Sequence, residues 1–521
     1  MDQGTIQIED ATDWITEIRS TMSAWAKTRS KHGAVMVERL LKRIVDEQKC
    51  QDFEIQRSKG VENKCIIKAD TKIYNILIDA WAKSGEPGAA KRAEEILIQM
   101  DRSGDPDMAP DVKSFSSVIN AWALTSASRL GQYYILNDGY VNGTVYGAAA
   151  VRAERILNAM EEMSQSGTNP RIKPNTISYN TVISAWARSG SQIAYSRAER
   201  VLHRMHELQN KGDSLVAPDA RSYTALMKAV ARSSKDPAQA ARKAEEILRR
   251  MRELSEVAPN DKSIRDYSQV KPTLYTYTTA IQIVSRSPEK DAPQRALSLL
   301  QDMIHRYEHG DEDLKPNVLV FNAVISAFSR SRERGSAQSA EKILKQMERM
   351  AASADQEVLV NDHFVVRPNL QSYILVIEAY SRSIDEDGAE HAADVHQRMI
   401  NLYKQARERM AEIYKLDYKN HKATAFLASL AKPSVDSFNE VIKAWAYRGN
   451  PQKAQATFNM MQEMYAAGST SVSMHTEKTM SDADCKPNTD SYAALIEAWG
   501  ANSQEESGAQ RAECLLRRIE Q

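Results

Sequence analysis

The chain has 521 residues, 42% hydrophobic and 26% charged, with 69 Lys+Arg against 69 Asp+Glu. This composition excludes a disordered or low-complexity chain. The charge balance argues against indiscriminate nucleic-acid binding, although a local basic stripe is compatible with it. No apolar run approaches the ~18 residues that span a bilayer, and the opening MDQGTIQIEDATDW is acid-rich, lacks Arg and does not resemble a signal or transit peptide.

From residue 15 onward one unit recurs. It starts degenerate, with Ile18 and Trp25. An aromatic residue followed seven positions later by a second bulky residue then repeats as Tyr74/Trp81, Phe115/Trp122, Tyr179/Trp186, Tyr223/Val230, Tyr277/Val284, Phe321/Phe328, Tyr373/Tyr380, Phe438/Trp445 and Tyr492/Trp499. In the first full unit Tyr74, Leu77, Ile78 and Trp81 follow the i, i+3, i+4, i+7 template of an amphipathic helix. Ser84, Gly85, Pro87 and Gly88 break it, and Ala93, Ile96, Leu97 and Met100 repeat the template as a second helix. The alanine-to-bulky spacing recurs from Val37/Ile44 to Ala512/Ile519, and Ala is expected where the two helices approach closely. Each unit closes on Pro plus a small polar residue, from Pro110-Asp111 to Pro487-Asn488, suited to capping the next helix.

Repetition of one hairpin predicts an all-α solenoid, because each hairpin buries its apolar face only by stacking on its neighbours. The expected boundaries are an N-terminal segment 1–14, a degenerate repeat 15–70, and repeats 71–111, 112–175, 176–219, 220–273, 274–317, 318–369, 370–434 and 435–488, with a truncated last repeat 489–521. Extra residues after the second helix, at 348–366, 400–431 and 462–485, predict loops or longer helices. The insertion 125–150 carries Asn-Asp-Gly and Asn-Gly turns between β-prone residues and predicts a small hairpin. The tryptophans at the second bulky position are expected in the core.

Segments such as YNILIDAWAKSG (Tyr74 to Gly85) and SYNTVISAWARSG (Ser178 to Gly190), with the closing Lys-Pro-Asn/Asp, resemble the pentatricopeptide repeat. The resemblance covers roughly residues 15–521. It implies a right-handed superhelical α-solenoid of about ten repeats that binds single-stranded RNA one base per repeat. By resemblance the readers are the residue after the opening aromatic and the closing residue. Carried over, these are Asn75 with Asp111, Ser116 with Asn175, Asn180 with Asp219, Thr224 with Thr273, Thr278 with Asn317, Asn322 with Asn369, and Asn439 with Asn488, while Ile374 (with Ser434) and Ala493 do not read. The family's pattern implies 5′-U-A-U-n-A-Y-n-Y-3′, with Y a pyrimidine and n unassigned. Every closing residue is equally a good helix cap. The opening position is expected on the surface, so that Asn75→Thr would change stability by no more than about 0.5 kcal/mol.

Two residues after the second bulky position stand Lys27, Lys83, Arg188, Arg232, Arg286, Arg330 and Arg382, eight residues beyond the opening reader on the same helix. Stacked units would align them as a ladder against a phosphate backbone; a cation near a helix C-terminus is also favoured by the dipole. No catalytic constellation, metal site or cofactor motif is found. Cys50, Cys65, Cys485 and Cys514 form no Cys-x-x-Cys pair and read as free thiols, and His203/His206 and His305/His309 read as solvated or satisfied. The acidic runs 311–313 and 385–387 read as solvated loops.

The expected function is sequence-selective RNA binding. The resemblance places it in RNA processing, stability or translation in a mitochondrion or plastid. The alternatives are a protein-binding scaffold, or the repeat portion of a larger RNA-processing enzyme whose remainder lies beyond Gln521. Protein partners would use the insertions, and no membrane is involved.

Overall fold

A computed structural model describes residues 8–57, 68–125, 148–167, 170–256, 268–356, 366–416, 431–470, 485–501 and 506–520. Among them are twenty α-helices, four short 3-10 turns and no β-strand. The helices alternate strictly between a first and a second member of a hairpin. The chain divides into two compact units at the junction between Pro272 and Thr273.

In the first unit the first helices are α1 (Ile8–Lys27), α3 (Thr71–Lys83), α5 (Val112–Thr125), α7 (Thr176–Ser189) and α9 (Ala220–Ser233). Their partners are α2 (Lys31–Arg57), α4 (Ala89–Arg102), α6 (Ala148–Gln165), α8 (Ala194–Asn210) and α10 (Pro237–Glu256). In the second unit the first helices are α11 (Leu274–Val284), α13 (Val318–Arg330), α15 (Leu370–Arg382), α17 (Val435–Tyr447) and α19 (Thr489–Ala501). The second helices there are α12 (Ala292–Glu308), α14 (Ser336–Gln356), α16 (Gly388–Leu416), α18 (Pro451–Thr470) and α20 (Glu506–Glu520). Within each unit every first helix packs on the next first helix. Every second helix packs on its own first helix, and all but the last of each unit also pack on the first helix that follows. In each unit the first helices therefore form a continuous rank, backed by a second layer.

The core is the one the spacing foretells. Tyr179, Trp186, Tyr277, Phe321, Tyr380 and Phe438 are fully enclosed. So are Ala93, Ala153, Ala198, Ala244, Ala296, Ala340, Ala392 and Ala454, where a longer side chain would push the hairpin helices apart. Trp122, Trp445 and Trp499 are buried, while Trp25 and Trp81 are half-buried. A further anchor stands two residues before the closing prolines: Ile172, Val216, Val270, Leu314, Val366, Ala431 and Cys485 are buried, while Met108 is half-buried. Cys485 thus serves as a small apolar plug against Ile400, Phe438 and Met461, with its thiol directed at the Pro433 carbonyl.

Capping ends the helices where the sequence foresees. Asn175, Asp219, Thr273, Asn317, Asn369 and Ser434 each accept the N3 backbone N–H of the helix they open. Gly190, at φ 64°, closes α7 in the left-handed conformation. Parts of the extra segments after the second helices are helix: α14 runs to Gln356, α16 to Leu416 and α18 to Thr470. The stretch 126–147, with its expected hairpin, lies outside the described residues. Among those residues no helix is long and apolar enough to cross a membrane.

The hairpins are joined by a polar clamp that the sequence reading missed. The residue after the packing alanine or valine of one second helix accepts a hydrogen bond from the second bulky residue of the next first helix. Trp81 Nε1 donates to Glu38 at 3.1 Å, Trp122 Nε1 to Glu94 at 2.9 Å, Trp186 Nε1 to Glu154 at 2.8 Å and Tyr380 Oη to Glu341 at 2.7 Å. An arginine from the next second helix completes each clamp: Arg92 on Glu38, Arg152 on Glu94, Arg197 on Glu154 and Arg398 on Glu341. Burial alone would raise the Glu341 carboxyl, but the bonds from Tyr380, Lys345 and Arg398 outweigh it and hold the group down at about 2. The legible signal is the recurrent triplet Arg-Ala-Glu, as at 92–94, 152–154 and 197–199.

Candidate nucleic-acid interface

The opening and closing residues meet at the start of each new hairpin. Asp111 caps α5 by accepting Ser114 N–H at 2.9 Å, and the same oxygen accepts Asn75 Nδ2 at 3.1 Å. Ser114 Oγ donates to Asn75 Oδ1 at 2.6 Å, which closes a triangle. The triangle recurs as Asn180–Asp219–Ser222 and as Asn322–Asn369–Ser372. In the Asn439–Asn488–Ser491 set the amide still donates at 3.2 Å. There Ser491 Oγ bonds Asn488 alone, and Asn439 Oδ1 is buried without a partner.

The sequence places Asn75 on the surface, and the structure corrects that. Asn75 is 2% exposed, and Thr224, Thr278, Asn322 and Asn439 are also buried. The opening position sits in the seam where its helix packs on the start of the next first helix, so its polar atoms are enclosed by the cap of that helix. Asparagine there holds the closing side chain in place. The terminal atom left outside the triangle is an acceptor, Oδ2, in Asp111 and Asp219, and a donor, Nδ2, in Asn369 and Asn488.

The other pairs are arranged differently. Thr224 and Thr278 turn their hydroxyls onto the carbonyls of Ala220 and Leu274 in their own helices. Thr273 bonds Thr276, and Asn317 Oδ1 accepts the backbone N–H of Leu319 and Val320. Ser116 meets Ser178 Oγ at 3.0 Å, and Ser178 is the residue that Asn175 caps. Ile374 is half-buried and Ala493 exposed.

The seven ladder cations fall into three groups. Lys83 is tied to Asp79 at 2.6 Å and Arg382 to Glu378 at 2.6 Å, so these two rungs are neutralised within their own helices. Arg232 and Arg330 each reach back one hairpin, to the carbonyls of Ala187 and Ser285 at 3.4 Å, and cap the C-terminal end of the preceding first helix. Among the described residues no carboxylate lies within ion-pair distance of Lys27, Arg188 or Arg286; Lys27 and Arg286 are exposed and Arg188 half-buried.

Sequence reasoning missed one row on the same helices. The residue two positions before the opening aromatic is exposed in every full hairpin: Lys72, Lys113, Ile177, Arg221, Tyr275, Leu319, Gln371, Asp436 and Asp490. Ile177, Tyr275 and Leu319 are apolar and more than half exposed. The usable signal was a bulky apolar residue one turn outside the buried stripe.

The histidine pairs are locally engaged. His206 Nε2 lies 2.8 Å from Tyr223 Oη, His203 pairs with Glu207, and His305 and His309 face each other with ring centroids 4.0 Å apart. Among the described residues no three His, Cys, Asp or Glu side chains gather as a metal site. The acidic loop 385–387 is occupied: Arg448 donates to the carbonyls of Tyr380, Ser381, Ser383, Asp385 and Glu386 and so staples α17 to that loop.

The PPR repeat family model matches residues 72–105, the hairpin α3–α4. The pentatricopeptide repeat-containing protein At5g25630 of Arabidopsis thaliana is 21% identical over 123 residues, 24% of this chain and 16% of that relative, so the match spans a small part of its length. Two solved structures of the pentatricopeptide repeat protein PPR10 in complex with an 18-nt psaJ RNA element, one with three cysteines replaced, are 17% identical. They cover 96% and 97% of this chain and 73% and 74% of theirs, at a TM-score of 0.23. Residues 72–105 thus match a PPR repeat, and the hairpin they form recurs along the sequence of both units.

Proposed function

We propose that the first helices of each unit bind single-stranded RNA, with the closing residues selecting the bases. The observation that carries this reading is the free terminal atom of the closing side chain, fixed by the asparagine triangle. Asp111 and Asp219 offer an acceptor, which suits a base edge that presents an N–H. Asn369 and Asn488 offer a donor, which suits a base edge that presents a carbonyl or ring nitrogen. The same seven pairs are proposed as the readers: Asn75/Asp111, Ser116/Asn175, Asn180/Asp219, Thr224/Thr273, Thr278/Asn317, Asn322/Asn369 and Asn439/Asn488. In Asn75/Asp111, Asn180/Asp219, Asn322/Asn369 and Asn439/Asn488 the opening residue acts mainly through its hold on the closing side chain.

Two further features support the reading. The first helices α7, α9, α11 and α13 contain no Asp or Glu, and ladder cations stand at or just past their ends. Ile177, Tyr275 and Leu319 offer flat apolar surface beside the readers, on which splayed bases stack. The likeness to pentatricopeptide repeats favours a role in RNA processing, stability or translation in a mitochondrion or plastid.

The test is fluorescence anisotropy with labelled single-stranded RNAs over a salt series. With Lys83 and Arg382 neutralised internally, five cations remain for phosphates. The expected slope of log affinity on log salt is near about −3.5, at ~0.7 per phosphate. Asp111→Asn should move the preference at one base position away from U and leave the other positions unchanged. Affinity independent of salt, or equal affinity for duplex DNA, would refute RNA binding. An unchanged preference in Asp111→Asn would refute the reading role of the closing residue.

A further inference from the structure

The residue just before the opening aromatic is enclosed in every full hairpin, and in most of them it carries a hydroxyl. Ser114, Ser178, Ser222, Thr276, Ser372, Ser437 and Ser491 hold this register, and Ile73 and Val320 hold it in the other two hairpins. At those two sites the caps Asp70 and Asn317 still accept the backbone N–H groups of Ile73 and Val320, at 3.0 and 3.2 Å. The helix start and its packing therefore do not require the hydroxyl.

What the hydroxyl adds is a link between the opening residue of one hairpin and the cap of the next. Ser114, Ser222 and Ser372 donate to the amide oxygens of Asn75, Asn180 and Asn322 at 2.6 to 2.7 Å. A hydroxyl has one proton to give. Given to the amide oxygen, it leaves the amide N–H aimed at the closing side chain. The same serine oxygens accept the backbone N–H of Asp111, Asp219 and Asn369 at 3.1 Å. Each serine thus ties down both members of a pair.

Ser178 carries the link by itself. Ser116 connects to Asn175 through it: the two serine oxygens lie 3.0 Å apart, and Ser178 Oγ donates to Asn175 Oδ1 at 3.2 Å. Ser491 shows the unlinked arrangement. It gives its proton to Asn488 at 2.9 Å, and Asn439 Oδ1 stays buried without a donor. Where the opening residue is Ile374, which has no acceptor, Ser437 turns to the Ser434 carbonyl and to His396.

We propose that this enclosed hydroxyl is a third determinant of base choice: a positioning residue that locks the opening and closing side chains together without touching RNA. The inference rests on the reading role proposed for the closing residues. A closing side chain held on two sides presents its free atom in one direction, so a wrong base meets a mismatched group and not one that swings aside. Selection is therefore tight at Asp111, Asn175, Asp219 and Asn369, where the hydroxyl bridges the pair. It is looser at Asn488, where the bridge is broken, and at Asn317, where Val320 replaces the hydroxyl.

The test uses the full chain and labelled RNAs of the form 5′-U-A-U-U-A-U-U-U-3′, with each of the four bases placed in turn at one position. Preference is a ratio of affinities on one preparation, so a partly unfolded fraction cancels. Ser178→Ala should lower the preference at the second position about fivefold and leave the first and third positions as they were. Ser178→Thr keeps a hydroxyl, as Thr276 does natively, and should restore it. Val320→Thr should sharpen the choice at the fifth position severalfold, a gain that misfolding cannot imitate. A Ser178→Ala variant that loses affinity for all four RNAs alike would reduce the serine to a folding role and overturn the proposal. So would a Val320→Thr variant with no gain. Asn175→Asp separates the two levels of the argument. If it shifts the second position while Ser178→Ala does not, the positioning role alone falls; if neither shifts it, the reading role falls as well.

Discussion

Glu94 is the sharpest place to test how the hairpins hold together. Its carboxylate accepts the Trp122 indole N–H at 2.9 Å and receives Arg152 Nε and Nη2 at 2.6 to 3.1 Å, so it joins three helices of two hairpins. The Glu94 side chain is 12% exposed and that of Arg152 38%. In Glu94→Ala the indole N–H loses its partner in a buried setting, at about 1 kcal/mol, and the charge-assisted bonds are lost at about 1.5–3 kcal/mol. Arg152 regains water because it is only partly covered, which brings the expected total to roughly 2–3 kcal/mol. Glu94→Gln keeps an acceptor for the indole but no charge for Arg152, and should cost about 1 kcal/mol. The assay is urea unfolding followed by circular dichroism, with Arg152→Met combined into a double-mutant cycle. A coupling of about 1 kcal/mol between Glu94 and Arg152 is expected. A Glu94→Ala cost below about 0.5 kcal/mol, the level of an ordinary surface change, would show that the clamp does not join the hairpins.

His396 is enclosed against Phe438, and burial pushes its imidazole down to about 4. The folded chain therefore takes up its proton only well below the unfolded value near 6.5, so stability is full above that value and falls as pH drops toward 4. Roughly 2 kcal/mol should be lost between pH 7 and 5. His396→Leu should flatten that part of the urea-midpoint profile, and an unaltered profile would disprove the assignment. Asn75→Thr should destabilise by about 1–2 kcal/mol, since Asp111 and Ser114 both lose a partner; a cost near zero in the same assay would restore the surface placement. Trp186→Ala, at a fully enclosed site, should cost roughly 3–5 kcal/mol and unfold its neighbourhood, read as lost amide protection around α7. Arg448→Met should cost roughly 2 kcal/mol by freeing the carbonyls of the 383–386 loop, and protection of that loop from exchange is the measurement that checks it.

The amino-acid sequence alone determined the all-α class, the hairpin unit, its core and its caps. Those features rest on short-range periodicity: the same aromatic, alanine and proline positions recur in every unit, and a helix must bury whichever side carries its apolar stripe. Tertiary packing decided what the polar residues do. Asn75 and Asn439 look alike in sequence, yet one is satisfied by the serine of the next hairpin and the other keeps an orphaned acceptor, because the geometry of the following cap differs. Lys83 and Arg188 occupy one register, but Asp79 stands a turn away from the first and Ser184 from the second. Arg448, Glu94 and Glu341 act through partners dozens of residues distant, and only stacked hairpins bring such partners within a hydrogen bond.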